Sequence, residues 1–316
     1  MLPRAAPTAL AALPRALSRC FSAAAASAPV ALHCVEAAPP LLPHPASPLA
    51  PPVVFLHGLL GSATNFRTTQ LAVARHRATL AFDLRNHGRS AHAPGAATLD
   101  DLAGDVAAAL RARAAAAGAP QQQQQRFALV GHSLGGKVAM RLALAHPELC
   151  AALTVIDIAP APYDPSSEGW RAVQGVVAAA AALDVRACAS RAAVDAALAR
   201  AVPDAGVRAF VAQNLVPRAA GGGFEWRLGW EGILASMAHF AAWPAHAPAP
   251  PPQGLPVHFV RGTRSTYIAG ARHGAAIAAA FPGARVHDVE AGHWVHADNP
   301  KAFWALLAGL LGIPAQ

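Results

Sequence analysis

Phe127-Ala128-Leu129-Val130-Gly131-His132-Ser133-Leu134-Gly135 is the stretch whose reading decides the fold. Its first four residues form the short, unbroken apolar run of a strand buried on both faces, and Lys137 to Ala145 follow with a helical pattern. Between strand and helix stands G-x-S-x-G. A strand that turns this sharply into a helix holds its serine in a strained backbone conformation. The flanking glycines are required because a Cβ at either place would clash where strand and helix converge. The hydroxyl of Ser133 is then presented at the end of the strand, with a helix N-terminus behind it that favours developing negative charge. The pattern is that of a nucleophile elbow.

Working outward, Val53-Val54-Phe55-Leu56 reads as a second buried strand, Phe66 to His76 as a helix and Ala78 to Phe82 as a further strand. A helix is expected over Thr98 to Ala117, with Thr98 as N-cap, Asp101 three residues on, and Gly118-Ala119-Pro120 as its stop. Leu153 to Ile158 is a strand, as are Val257 to Val260 and Arg285 to Val289; Ala275 to Phe281 and Pro300 to Leu311 read as helices. Residues 29 to 36 fit an edge strand. Strands alternating with helices predict an α/β fold whose central sheet is mostly parallel and covered by helices on both faces. From Tyr163 to about Pro244 the pattern is helical without core strands, and proline-rich segments flank both Val53 and Val257. The organisation predicted is a core of residues 29–162 and 253–316, with 163–252 inserted as a helical cap over the carboxyl ends of the strands. The Gln121 to Gln125 tract reads as a solvated loop insertion.

The chain has 316 residues, 54% of them hydrophobic and 13% charged, which is a globular composition. Its formal charge of +8 comes from scattered arginines without aromatic-basic interleaving, so a nucleic-acid surface is not expected. Cys20, Cys34, Cys150 and Cys188 show neither C-x-x-C spacing nor the density of a disulfide scaffold. No apolar run reaches the roughly 18–20 residues of a membrane span. Arg4, Arg15 and Arg19 occur before the first acidic residue, Glu36. On a helix, Leu10, Leu13, Leu17 and Phe21 share one face and Arg15 and Arg19 the other. A basic, acid-free, amphipathic start over residues 1–28 reads as a mitochondrial transit peptide addressed to the matrix, with a plastid address as the alternative.

A serine nucleophile needs a base, and in the chain order Ser, acid, His the histidine comes last. The chain has 15 histidines, but Gly292-His293-Trp294 directly follows the final strand, which selects His293; His296 is read as structural. The oxyanion requires two backbone N–H groups. Leu134, after the nucleophile, supplies one. Leu59, in the glycine-bearing loop His57-Gly58-Leu59-Leu60-Gly61, supplies the other. The acid is open. Its usual loop, Arg261-Gly262-Thr263-Arg264-Ser265, offers Ser265 in place of an aspartate. Asp157, at the end of the strand after the elbow helix, is the first alternative, with Ser265 adding a hydrogen bond; its bland reading is a turn cap. Glu231 in the cap is a weaker candidate. Gly131 to Val138 also fits G-x-x-x-x-G-K, but Val138 stands where a phosphate loop needs Ser or Thr. Neither H-E-x-x-H nor a Cys/His set points to a metal.

Five segments then match a known family in order: His57-Gly58-Leu59-Leu60-Gly61-Ser62, Asp83-Leu84-Arg85-Asn86-His87-Gly88-Arg89-Ser90, Gly131 to Lys137, Asp157-Ile158-Ala159-Pro160, and Ala291-Gly292-His293-Trp294-Val295-His296-Ala297. Over roughly Val53 to Leu311 the chain resembles the α/β-hydrolase superfamily, and within it the group of mitochondrial α/β-hydrolase-domain protein eleven with its small bacterial esterase relatives. The resemblance implies the α/β-hydrolase fold and hydrolysis of a carboxylic ester or thioester of small or medium acyl length through an acyl-enzyme, with no cofactor. It also implies Asp157 as the acid, with Ser265 beside it. The alternative is a hydrolase-fold protein without catalysis that binds a partner or acyl compound; lyase or acyltransferase chemistry uses the same parts.

Overall fold

The computed structural model describes residues 27–39, 50–116, 125–219, 221–244 and 253–315. The expected transit segment, apart from its last two residues, lies outside the described residues, as do most of the glutamine tract and the proline cluster at 248–252. In chain order the core begins with strands β1 (Cys34–Ala37) and β2 (Val53–Leu56), helix α1 (Arg67–Ala74), strand β3 (Thr79–Phe82), helix α2 (Leu99–Ala116), strand β4 (Phe127–His132), helix α3 (Leu134–Ala145) and strand β5 (Cys150–Ile156). An excursion follows, with helices α4 (Glu168–Ala182), α5 (Arg191–Leu198) and α6 (Ala205–Ala212), strands β6 (Leu215–Pro217) and β7 (Phe224–Trp226), and helix α7 (Trp230–Ala241). The core resumes with β8 (Val257–Gly262), α8 (Gly270–Ala280), β9 (Arg285–Val289), α9 (Val295–Asp298) and α10 (Pro300–Leu311).

The main sheet runs β1-β3-β2-β4-β5-β8-β9, parallel throughout except for the antiparallel edge strand β1. All four residues of β2 are buried, and the pleat sends them alternately to two cores. Val54 and Leu56 join Leu102, Val106 and Leu142 from α2 and α3 on one face. Val53 and Phe55 join Phe66, Phe303 and Leu307 on the other. Each such side chain, fully buried, contributes roughly 1.5–3 kcal/mol, and apolar residues at every position of β2 follow from having helices on both sides.

Chain order sets where a site can form. From β2 the chain steps outward to β3, then returns past β2 to β4 and continues the opposite way. The crevice at the carboxyl ends of β2 and β4 is therefore the topological switch point, where open α/β sheets bind ligands.

Local signals place the main helices. Thr98 and Asp101 cap α2 reciprocally, Thr98 Oγ1 accepting from the Asp101 N–H (3.1 Å) and Asp101 Oδ2 from the Thr98 N–H (2.8 Å). Several elements differ from expectation. α3 starts at Leu134, not Lys137, because the turn consumes a single residue. α8 starts at Gly270, five residues before the expected Ala275, its first turns disguised by Gly270 and Gly274. Phe224-Glu225-Trp226 pairs with Leu215–Pro217 as a two-stranded ribbon inside the excursion, which reading by helical period alone does not show.

Candidate active site

β4 delivers its last residue, His132, to the carboxyl edge of the sheet, and Ser133 makes the whole turn into α3 with φ 51° and ψ −119°. A non-glycine residue there costs of order 1–3 kcal/mol and persists only where its surroundings over-determine it. They do so here. The Ser133 N–H is tied to the Ile156 carbonyl of β5 (3.0 Å), and its carbonyl accepts from Lys137 N–H in the first turn of α3 (3.0 Å). A Cβ on Gly131 would collide with the Gly135 backbone, and one on Gly135 with the carbonyls of Leu56 and His57, so both positions require glycine for close approach.

Ser133 Oγ lies 3.0 Å from His293 Nε2, and His293 Nδ1 lies 2.8 Å from Asp157 Oδ2. The structure thus brings together three residues from the ends of β4 and β5 and from the loop after β9. Asp157 is fully buried and, at φ 50°, turns the chain sharply at the end of β5. That turn is why the strand stops at Ile156 and not at the expected Ile158. The Asp157 carboxylate accepts from Gly262 N–H (3.0 Å), from Ser265 Oγ–H and from His293 Nδ1–H, so every close partner is a donor. With Nδ1–H given to the carboxylate, Nε2 is the lone-pair nitrogen facing the serine. Glu231 is exposed in the first turn of α7.

Residues not singled out from sequence hold the imidazole in place. The Tyr267 ring stacks on His293 with centroids 4.0 Å apart and planes at 21°. The His132 ring lies 4.7 Å from the same imidazole, tilted by 43°, and donates from Nε2 to the His293 carbonyl (2.9 Å). Tyr163 Oη takes the Ala159 N–H (3.0 Å) and donates to the Tyr267 carbonyl (2.6 Å), linking the excursion to this stack. His296 packs against Phe66, Phe303 and His132. Burial, then His293 nearby, pull its imidazole down to about 4, so it stays neutral, in keeping with its structural reading. The histidine of G-H-S was a signal for His132; nothing in the sequence marks Tyr267.

Lys137 does not face a phosphate loop. Its ammonium donates to the carbonyls of Phe240, Ala241 and Ala242 (3.0, 3.0 and 2.9 Å) and sits 4.8 Å over the Tyr163 ring, tying the elbow helix to the end of α7. Burial lowers its pKa to about 7. Above the serine opens a cavity of about 270 Å³. Its base is Gly58, Leu59, Ser133, Leu134 and His293; its upper walls are apolar, with Trp170, Val173, Val176, Phe210 and Phe240 from the excursion.

A strained serine, an imidazole and a buried carboxylate at the switch point of a parallel sheet define a hydrolase-type site. Residues 53–306 match the Alpha/beta hydrolase family, and the chain belongs to it. Among its relatives is the sn-1-specific diacylglycerol lipase ABHD11 of Mus musculus, 35% identical over 264 residues, covering 83% of this chain and 81% of that one. Ethanol acetyltransferase 1 of Wickerhamomyces ciferrii is 28% identical over 275 residues, covering 80% of this chain and 66% of that one. The structure of a marine microorganism esterase superposes with a TM-score of 0.78 at 26% identity, over 89% of this chain and 99% of its own. Among the described residues no helix is long and apolar enough to cross a membrane.

Proposed function

We infer that the protein is a serine hydrolase that cleaves carboxylic esters or thioesters through an acyl-enzyme. One observation carries this reading: the continuous run from Ser133 Oγ to His293 Nε2 (3.0 Å) and from His293 Nδ1 to Asp157 Oδ2 (2.8 Å). As the Ser133 oxygen attacks the acyl carbonyl, its proton passes to His293, and Asp157 stabilises the imidazolium. The N–H groups of Leu59 and Leu134 receive the oxyanion. Leu134 opens α3, whose N-terminus favours negative charge. His293 then protonates the leaving group, and later takes a proton from the water that releases the acid.

The excursion, expected over residues 163–252, acts as a cap over the carboxyl ends of the strands and supplies the acyl pocket. A cavity of about 270 Å³ with apolar upper walls suits an acyl chain of small or medium length. On a series of p-nitrophenyl esters, kcat/KM should rise from acetate to octanoate or decanoate and fall at palmitate. A profile still rising at palmitate contradicts the acyl pocket; absence of hydrolysis at any length contradicts the enzyme. A module that only binds has no use for the complete relay. The basic start of the chain, residues 1–28, supports a mitochondrial address.

A further inference from the structure

The loop that carries Leu59 is irregular, yet an oxyanion donor has to be aimed before the charge appears. Two buried imidazoles are attached to its backbone, one on each side of Leu59. His57 Nε2 accepts the Leu84 N–H (2.9 Å), so its proton sits on Nδ1 and is donated to the Gly58 carbonyl (2.8 Å). The Gly61 N–H reaches the same carbonyl (2.9 Å). No peptide bond is cis among the described residues, and in a planar trans peptide the N–H points opposite to the C=O. Fixing the Gly58 carbonyl from two sides therefore turns the Leu59 N–H the other way.

The next peptide is held by His87. Its Nε2 accepts the Leu60 N–H (3.1 Å), and its Nδ1–H is donated to the Arg85 carbonyl (2.8 Å). Leu60 stands at φ 60°, a left-handed conformation disfavoured for leucine, and the bond to His87 opposes its relaxation. Both rings are almost wholly shielded from solvent, with centroids 5.1 Å apart. Burial and then neighbouring His57 pull the His87 imidazole down to about 3, so its acceptor nitrogen stays available. Farther along the loop, Asp83 Oδ1 accepts the Ala63 N–H (2.7 Å).

We propose that His87, together with His57, is a positioning residue of the reaction: it fixes the peptide after Leu59 through the Leu60 N–H and so preorganises the oxyanion donor. This rests on the serine hydrolase reading above. It gives the Asn86-His87-Gly88 segment a task in catalysis although His87 hydrogen-bonds only backbone groups of the loops it joins.

The test compares His87→Leu, His87→Asn and His87→Gln in the full-length protein, with kcat and KM on p-nitrophenyl octanoate and the melting temperature of each. A glutamine can carry an amide oxygen to the place of Nε2; asparagine is one methylene too short. His87→Leu and His87→Asn should lower kcat by at least about tenfold, approaching the ~10²–10³ that loss of a donor costs, with KM within about twofold. His87→Gln should recover kcat to within about fivefold of wild type. Unchanged kcat in a folded His87→Leu protein overturns the proposal. Should the leucine variant fail to fold, equal impairment of the glutamine and asparagine variants overturns it instead. Loss of wild-type activity on Ser133→Ala reports on the hydrolase reading separately, so failure of one is distinguishable from failure of the other.

Discussion

Ser133→Ala should reduce kcat on a p-nitrophenyl ester by on the order of 10⁵-fold or more while the melting temperature moves by no more than a degree or two. The substitution removes only Oγ, and among the described residues its one hydrogen bond to another side chain is the 3.0 Å contact with His293. Alanine keeps the same Cβ, so the strain at φ 51° and the ties to Ile156 and Lys137 are unaltered. The covalent route disappears. The remaining rate comes from an oxyanion hole acting on a water, which in other triad enzymes retains about 10³–10⁴ over the uncatalysed reaction. His293→Ala combined with Ser133→Ala should cost little more than either alone, because the residues act as a unit. Stopped-flow and steady-state kinetics on highly purified protein measure this; a variant retaining a hundredth of wild-type kcat removes Ser133 from the mechanism.

Asp157→Asn should lower kcat by about 10⁴-fold, the scale on which a triad fails when the wrong imidazole tautomer is held. The reason lies in who faces Asp157. Oδ1 accepts from Gly262 N–H, while Oδ2 accepts from both Ser265 Oγ–H and His293 Nδ1–H. An amide offers an acceptor at only one of those two positions. With its NH₂ toward Gly262 it opposes a fixed backbone donor. With its NH₂ toward His293 it forces the imidazole proton onto Nε2, against the serine hydroxyl. The second arrangement lets Ser265 rotate, so it is the one expected, and kcat should fall much more than KM changes. A drop smaller than tenfold would place the acid elsewhere.

The depth to which sequence reveals this site follows from how local each determinant is. Ser133 is legible because steric demand at a strand-to-helix turn writes glycines two residues either side of it. His293 is legible because only one glycine-preceded histidine directly follows the final strand. Asp157 stays open against Glu231 at that level, because its reach depends on β5 lying beside β8 and on a left-handed turn at its own φ. Both are properties of the folded sheet. Tyr267 on the imidazole, Lys137 on the end of α7, and His87 on the Leu60 N–H join residues about 26, 103 and 27 positions apart, and no periodicity encodes such pairs. The central strands β2, β3 and β4 were readable because they are buried at every position, which demands largely apolar residues throughout. The small β6–β7 ribbon lacks that demand: Pro217 and Glu225 are exposed, and only Leu215 is buried.

Covalent labelling reports on the Ser133 nucleophile itself. Folded wild-type protein treated with a fluorophosphonate and analysed by peptide mass spectrometry should carry a single phosphonyl group on the peptide containing Ser133, and Ser133→Ala should carry none. An unlabelled folded wild type, or a label on another residue that persists in Ser133→Ala, contradicts the account.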